Sequence, residues 1–142
     1  MAIRFNFQKN IKLTKRRALK EFLQGIFERE GMRLGNLDYV FCDDNYILNV
    51  NQVFLKHDYF TDIITFDMTE AGSRTISGEI YISTDTVSTN SVKFRTNFED
   101  ELHRVMFHGV LHLCGYKDKT DKEKLIMRSK EDHYLTMFHG KH

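Results

Sequence analysis

The hydrophobic residues of this chain change their spacing several times, and these changes constrain the fold more than any other feature. Near the N-terminus, Ile3, Phe5 and Phe7 alternate with polar residues, which predicts a half-buried strand. The next apolar residues recur every three or four positions, and this spacing predicts a helix capped by Thr14 that runs to about Glu30. A chain that combines the two periods in this way is typical of a sheet covered by helices.

The central part of the chain predicts three further strands and one helix. A strand over 37–41 is followed by a short helix that is capped by Asp43 and Asp44 and runs through Val50. A polar connection over 56–60 then leads to a strand over 62–66, which is predicted to be buried on both faces. After a turn over 70–74, a strand over 78–83 pairs back as a hairpin.

The C-terminal part predicts three helices. The first begins at Thr84 and has weak intrinsic propensity, the second runs from an Asn97 cap to Cys114, and the third begins at a Thr120 capping box and runs towards Phe138. The resulting order, β-α-β-α-β-β-α-α-α, predicts a single α/β domain over residues 1–142. We expect a small mixed sheet with helices on both faces.

Composition excludes several classes of protein. The chain has 142 residues, of which 29% are charged and 41% hydrophobic, and its net charge of +1 excludes nucleic-acid binding by bulk charge. The two cysteines, Cys42 and Cys114, are too few for a disulfide framework and favour a reducing compartment. The sequence shows no signal-peptide pattern and no apolar run of membrane length. We therefore expect a cytoplasmic protein.

The segment from His108 to Asp118 carries the candidate chemistry. His108 and His112 are four residues apart in a predicted helix, so their rings lie on one face within about 6 Å of each other. Gly115 ends the helix and allows the chain to reverse, so that Asp118 can reach the histidine pair. Two histidines and one carboxylate leave a coordination position open for water, which is typical of a catalytic metal site.

Each of these residues also has a structural interpretation. A histidine pair at this spacing can be incidental, although titratable rings in an otherwise apolar helix favour a metal site. Asp118 alone is weaker evidence, because aspartate after a helix-ending glycine is common in solvated turns. Glu101, two turns before His108, either orients a histidine or a water, or is a first-turn residue favoured by the helix dipole. His103 is predicted to point to another face, and the sequence identifies no catalytic residue.

The residues around the motif narrow the choice of chemistry. Zinc proteases carry a glutamate general base directly after the first histidine, and here that position is Gly109, which disfavours a protease of that design. Cys114 is expected in the core. The other histidines are expected to be ordinary surface residues: His57, His133, His139 and His142.

Positive charge is locally clustered in three places: residues 9–20, residues 93–95 and residues 117–124. Such clusters can follow a phosphate backbone. For any one cluster, a solvated face balanced by acidic residues elsewhere is the more common explanation. RNA contact would therefore depend on a local patch, and the sequence leaves open which one.

The chain resembles the YbeY family of metal-dependent endoribonucleases, also called ribosomal RNA maturation factors. The family signature H-G-x-L-H-L-x-G-Y-D-H is matched from His108 to Tyr116, and the resemblance covers almost the whole chain. The segments 61–66 and 78–83 are similar to the family patterns T-[DN]-V-L-S-F and G-D-I-x-I-S. Two positions depart from the family: Asp118 stands where the third histidine ligand would be, and Leu55 stands where the family tends to have arginine.

The resemblance implies a function and a cofactor. It implies zinc-dependent cleavage of single-stranded RNA in ribosomal RNA processing, including maturation of the 3′ end of 16S rRNA, and in ribosome quality control. The implied partners are ribosomal RNA and the ribosome or its proteins, with no membrane. With Asp118 as the third ligand, another divalent transition metal can replace zinc. The alternatives are a non-catalytic, metal-stabilised ribosome-assembly factor and a metallohydrolase of another substrate, such as a peptide.

Overall fold

The computed structural model of the protein describes residues 2–55 and 61–140, and these contain four strands and five helices. The strands are β1 (Ala2–Phe7), β2 (Arg33–Cys42), β3 (Ile63–Asp67) and β4 (Thr75–Ser83). The helices are α1 (Arg16–Arg29), α2 (Asp44–Leu55), α3 (Thr84–Lys93), α4 (Phe98–Leu113) and α5 (Asp121–His139). Their order along the chain confirms the predicted β-α-β-α-β-β-α-α-α.

The strands form one mixed sheet in the order β1-β2-β4-β3. β1 and β4 both pair parallel to β2, and β3 pairs antiparallel to β4 as the predicted hairpin. Parallel neighbours require long crossover connections, and α1 and α2 lie in these connections. The α/β class and the mixed sheet are therefore as predicted.

Helices cover both faces of the sheet, as alternation along the strands requires. Leu37, Tyr39 and Phe41 of β2 face the larger core, where they pack with buried residues of α1, α4 and α5. The opposite face is smaller and packs Cys42 and Ile64 against the buried side chains of α2.

Helix α4 lies in the middle of the larger core. Ten of its sixteen residues are buried, and the hydroxyl of the fully buried Tyr39 donates a hydrogen bond of 2.9 Å to the carbonyl of Met106. A Cβ at Gly109 would lie 2.8 Å from Cδ1 of Ile80 and 3.1 Å from Cδ1 of Ile63. Glycine at this position therefore allows α4 to approach the sheet closely.

Two local predictions are wrong. Thr14 does not cap α1: the N-cap is Lys15, in a left-handed conformation with φ 54° and no side-chain cap, because the chain turns there after burying Leu13. Strand β3 is not buried on both faces. It lies at the edge of the sheet, and of its residues only Ile64 is buried.

The predicted polar connection over 56–60 lies outside the described residues. Within the part of the chain that the structure describes, no helix has the length and apolarity needed to cross a membrane.

Candidate metal centre

Three side chains predicted as metal ligands converge at the C-terminal end of α4. His108, His112 and Asp118 each offer one ligand atom, and these atoms all lie within 4.8 Å of one another. Oδ2 of Asp118 is 3.2 Å from Nε2 of His108 and 3.4 Å from Nε2 of His112. The structure therefore brings the predicted ligands together in an arrangement that can hold a metal ion.

The helix end explains how Asp118 reaches the histidines. Gly115 has a φ of 105°, and the amides of Gly115 and Tyr116 donate to the carbonyls of His112 and Leu111 at 3.0 Å each. These bonds close the helix in the manner of a glycine C-cap, and the chain reverses over the last turn of α4.

The second nitrogen of each imidazole has a partner that fixes the ring. Nδ1 of His112 lies 2.9 Å from the carbonyl oxygen of Tyr116, which can only accept, so this nitrogen carries the proton. Nδ1 of His108 lies 2.5 Å from Oε2 of Glu131. When the rings are neutral, the lone pair of each Nε2 therefore faces Asp118. This is the arrangement of metal-binding histidines, in which a hydrogen-bond partner of the other ring nitrogen fixes the ring.

Glu131 belongs to the site although the sequence analysis did not select it. It lies on α5, its side chain is only 7% exposed, and its other oxygen accepts a 2.8 Å hydrogen bond from Nη1 of Arg104. A signal for it existed in the sequence: with Met127 and Tyr134 it forms the buried stripe of α5, where an unpaired carboxylate would be costly.

The ligands lie in a cleft of about 790 Å³ whose lining includes several charged side chains. They are Asp62, Glu101, Arg104, His108, His112, Asp118, Arg128 and Glu131. Burial raises the pKa of Asp62 and of Glu101, partly opposed by the positive charges near each. Burial also acts to lower the pKa of His108, but its hydrogen bond to Glu131 and the surrounding carboxylates raise it overall.

The sequence analysis considered two roles for Glu101, orienting a histidine or a water and occupying the first turn of α4, and the structure shows the second. It is in the first turn of α4, yet it is buried and lines the cleft rather than facing solvent. Within the described residues its carboxylate makes no hydrogen bond to His108, for which that role falls to Glu131.

Gly109 is a glycine for reasons of packing. A side chain there would enter the space filled by Ile80 and Ile63, so a glutamate general base has no room at this position. Cys114 is buried, as predicted. Leu55 ends α2 and is not among the residues that line the cleft.

The histidines outside the motif behave differently from one another. His103 lies away from the ligands, as predicted, and packs on Phe107 and Phe138. The prediction that His139 is an ordinary surface residue is wrong: its Nε2 lies 2.9 Å from Nδ1 of His103, because α5 packs along α4. His133 is exposed as expected, and His57 and His142 lie outside the described residues.

Comparisons with known proteins show which family the chain resembles. The family model described as "Endoribonuclease YbeY" matches residues 3–139. An endoribonuclease YbeY from Flavobacterium psychrophilum is 45% identical over 139 residues, covering 98% of each chain. Another from Porphyromonas gingivalis is 49% identical over 123 residues, covering 87% of this chain and 80% of that protein.

A solved structure has a similar fold. The solution structure of a protein from Thermotoga maritima superposes with a TM-score of 0.67 at 30% identity, covering 99% of this chain and 91% of that one. The family match over residues 3–139 and the identities with the curated relatives agree, and this chain belongs to the endoribonuclease YbeY family.

Proposed function

We propose that this protein is a metal-dependent nuclease that cleaves single-stranded RNA, with one divalent ion bound by His108, His112 and Asp118. The observation that carries the proposal is the orientation of the rings: both Nδ1 atoms are engaged, and both Nε2 atoms face the same carboxylate oxygen. Two imidazole nitrogens and one carboxylate oxygen are a donor set suited to zinc or a similar divalent transition metal.

The chain's own residues account for how such a site would work. A divalent ion there would supply Lewis acidity and an activated water for attack on phosphorus. Glu131 keeps the His108 ring in place, and Tyr116 does the same for His112 through its carbonyl. Glu101 and Asp62 both line the cleft with pKa values raised by burial, so each is a candidate to exchange a proton with water or substrate.

The wider role follows the family. We propose that the substrate is ribosomal RNA, that cleavage contributes to maturation of the 16S rRNA 3′ end and to ribosome quality control, and that the protein works in the cytoplasm together with the ribosome. The support is the family match over residues 3–139. We also propose that residues 1–142 act as a single domain.

Metal analysis combined with cleavage assays tests the proposal. Wild-type protein should hold about one zinc or similar ion per chain, and His112→Ala should lose both the metal and cleavage of a single-stranded RNA oligonucleotide. His133→Ala, which changes an exposed histidine of α5, is the matched control and should retain both. Equal metal content in wild type and His112→Ala would refute the ligand assignment.

The third ligand can be tested separately. Asp118→Ala should lose metal affinity, whereas Asp118→His should keep the metal and shift the rise of cleavage to lower pH, because removing the carboxylate's negative charge makes a bound water more acidic. If Asp118→Ala binds metal and cleaves RNA like wild type, Asp118 is only a turn residue. A protein that binds metal but cleaves no RNA would instead favour a non-catalytic assembly factor.

A further inference from the structure

The turn between α3 and α4 places an arginine where glycine is the usual residue. The amide of Thr96 donates to the carbonyl of Ser91 at 2.9 Å and that of Arg95 to Val92 at 3.2 Å, which closes α3, and Arg95 has a φ of 56°. A side chain in this left-handed conformation is strained relative to glycine. The side chain of Arg95 can therefore be removed by a change to glycine without straining the turn.

Phe94, next to Arg95, exposes its ring beside the metal centre. Its exposed fraction is 56%, and the ammonium of Lys93 lies 5.5 Å from the ring centroid. The ring lines the cleft of the metal centre and also a second cleft of about 310 Å³. The two clefts share Phe94, Glu101, Arg104 and Arg128, so they form one continuous groove past the metal centre.

The two arginines of this groove differ in their availability. Arg104 is already engaged by Glu131 at 2.8 Å and Asp132 at 2.6 Å. Arg128 is exposed and lines both clefts, and within residues 2–55 and 61–140 no hydrogen bond or ion pair engages it. Its guanidinium is therefore available to a negatively charged ligand beside the metal centre.

The basic cluster near the N-terminus does not share these properties. The guanidinium of Arg16 lies 4.6 Å from the ring centroid of Phe7 and donates to the carbonyl of Leu13, and the ammonium of Lys20 lies 5.1 Å from the Phe5 ring. No residue of α1 is among those that line either cleft. Of the three basic clusters in the sequence, residues 93–95 and 117–124 adjoin the groove through Phe94 and Asp118, whereas residues 9–20 do not.

We infer that the groove lined by Phe94 and Arg128 binds the RNA strand next to the scissile bond. A base stacks on Phe94, a phosphate is bound by Arg128, and a further phosphate is bound by Arg95, which follows Phe94 in the chain but lines neither cleft. The inference rests on the proposed function and specifies where its substrate lies. An exposed aromatic ring beside unpaired cations is the combination that binds unstacked bases and their backbone. A duplex cannot offer a free base face, so the groove selects single strands.

Fluorescence anisotropy with a labelled single-stranded 2′-O-methyl oligouridylate tests the inference. Phe94→Ala should weaken binding about 5- to 150-fold, the range expected for the loss of one stacked base. Arg128→Gln should weaken binding and reduce the slope of log affinity against log salt by about 0.7, because one phosphate contact is lost. Metal content should be unchanged in both variants.

Matched controls separate the groove from the rest of the surface. Val92→Ala changes a residue of α3 that is 78% exposed, and Lys124→Gln removes an exposed cation of α5; neither residue lines a cleft, and both variants should bind like wild type. With a duplex of the same chemistry, Phe94→Ala should bind like wild type. An equal loss on duplex and single strand would overturn the stacking.

Arg95→Gly gives a second, independent readout. It should raise the melting temperature, because glycine relieves the left-handed strain, and at the same time weaken binding of the oligouridylate. If Phe94→Ala, Arg95→Gly and Arg128→Gln all bind with the affinity and salt slope of the wild type, the inference is overturned. Cleavage of RNA by the wild type would in that case leave the proposed function standing. A wild-type protein that neither binds nor cleaves RNA would overturn both.

Discussion

The two histidines of the candidate metal centre are positioned by different kinds of partner. Nδ1 of His108 faces a carboxylate, Glu131, whereas Nδ1 of His112 faces a neutral carbonyl, that of Tyr116. A carboxylate partner raises the basicity of an imidazole ligand more than a carbonyl does. His108 is therefore expected to be the stronger of the two nitrogen donors.

Changing Glu131 to glutamine tests this difference. The amide oxygen can still accept from Nδ1 of His108 but carries no charge, so metal affinity should fall by about 10- to 100-fold. Competition with a chelator of known affinity measures the change. Asp132→Asn is the matched control, because Asp132 also pairs with Arg104 but its side chain is 57% exposed. Equal affinities in both variants would contradict the positioning role.

A second single-residue prediction concerns the close approach of α4 to the sheet. Gly109→Ala places a Cβ 2.8 Å from Cδ1 of Ile80, so the helix or the isoleucine must shift, at a cost of about 1–3 kcal/mol in the free energy of unfolding. Urea denaturation measures it. Gly25→Ala, in α1, meets nothing within 4 Å and should be neutral or stabilising. If Gly109→Ala and Gly25→Ala change the free energy of unfolding by similar amounts, close packing does not explain the glycine at position 109.

The sequence alone predicted that His108, His112 and Asp118 lie close together. The spacing of His108 and His112 in an apolar segment was sufficient to select them, because that geometry is local to one helix. The contact between His108 and Glu131 spans 23 positions and depends on how α5 packs along α4, which no local pattern contains. The same packing places His139 in contact with His103 and leaves its side chain only 15% exposed, which is why its prediction as an ordinary surface residue is wrong.

At the scale of elements, the predictions succeeded where a helix or strand carries its own boundary signals. Oδ1 of Asn97 accepts from the amide of Asp100 at 2.7 Å, and Thr120 forms the predicted capping box with Glu123. Boundaries set by the tertiary structure were not predictable in this way. The start of α1 at Lys15 follows the burial of Leu13, and the partial burial of β3 follows from its edge position in the sheet.

One acidic residue joins the C-terminal end of α1 to the turn after α4 and to α5. Glu30, at the C-terminal end of α1, accepts hydrogen bonds from the hydroxyls of Tyr116 and Tyr134 and pairs with Lys130. Burial acts to raise the pKa of Glu30, but these donors outweigh it and lower the pKa. Its contribution to stability is therefore fully present above the ordinary pKa of 4.5 and is lost as the pH falls through the lowered value.

Glu30→Gln should accordingly destabilise the protein by about 1.5–3 kcal/mol near neutral pH, because charge-assisted hydrogen bonds are lost. The difference from wild type should shrink in acid, where Glu30 itself becomes protonated. Chemical denaturation at several pH values measures both effects. Glu28→Gln, an exposed neighbour on α1, should have little effect, and an equal loss in that control would contradict the role of Glu30.

At the scale of the whole molecule, a buried histidine makes stability depend on pH. Burial lowers the pKa of His103 to about 4, with His139 and Lys15 acting in the same direction and Glu99 and Asp100 opposing. Because the ordinary pKa of 6.5 applies in the unfolded chain, unfolding takes up a proton between these two values. Stability should fall by about 3 kcal/mol as the pH drops through that window.

His103→Gln should remove most of this pH dependence, since no group remains there to be protonated. Melting temperatures measured across the window provide the test. His133→Asn, which changes an exposed histidine, should leave the pH dependence intact. If the wild-type protein is equally stable at both ends of the pH window, His103 does not govern the pH dependence of stability.

The ligands of the metal centre are close in sequence, whereas their supports are distant. His108, His112 and Asp118 lie in one short segment, but the bond from Tyr116 to Glu30 spans 86 positions. Under the proposed function, an unfolded chain therefore keeps the ligands but loses the groups that orient them, and it binds the ion more weakly. The ratio of the ion affinities of the folded and the unfolded chain determines how much ion binding stabilises the folded state. The rise in melting temperature with added ion is thus a direct measure of how much the rest of the fold contributes to the site.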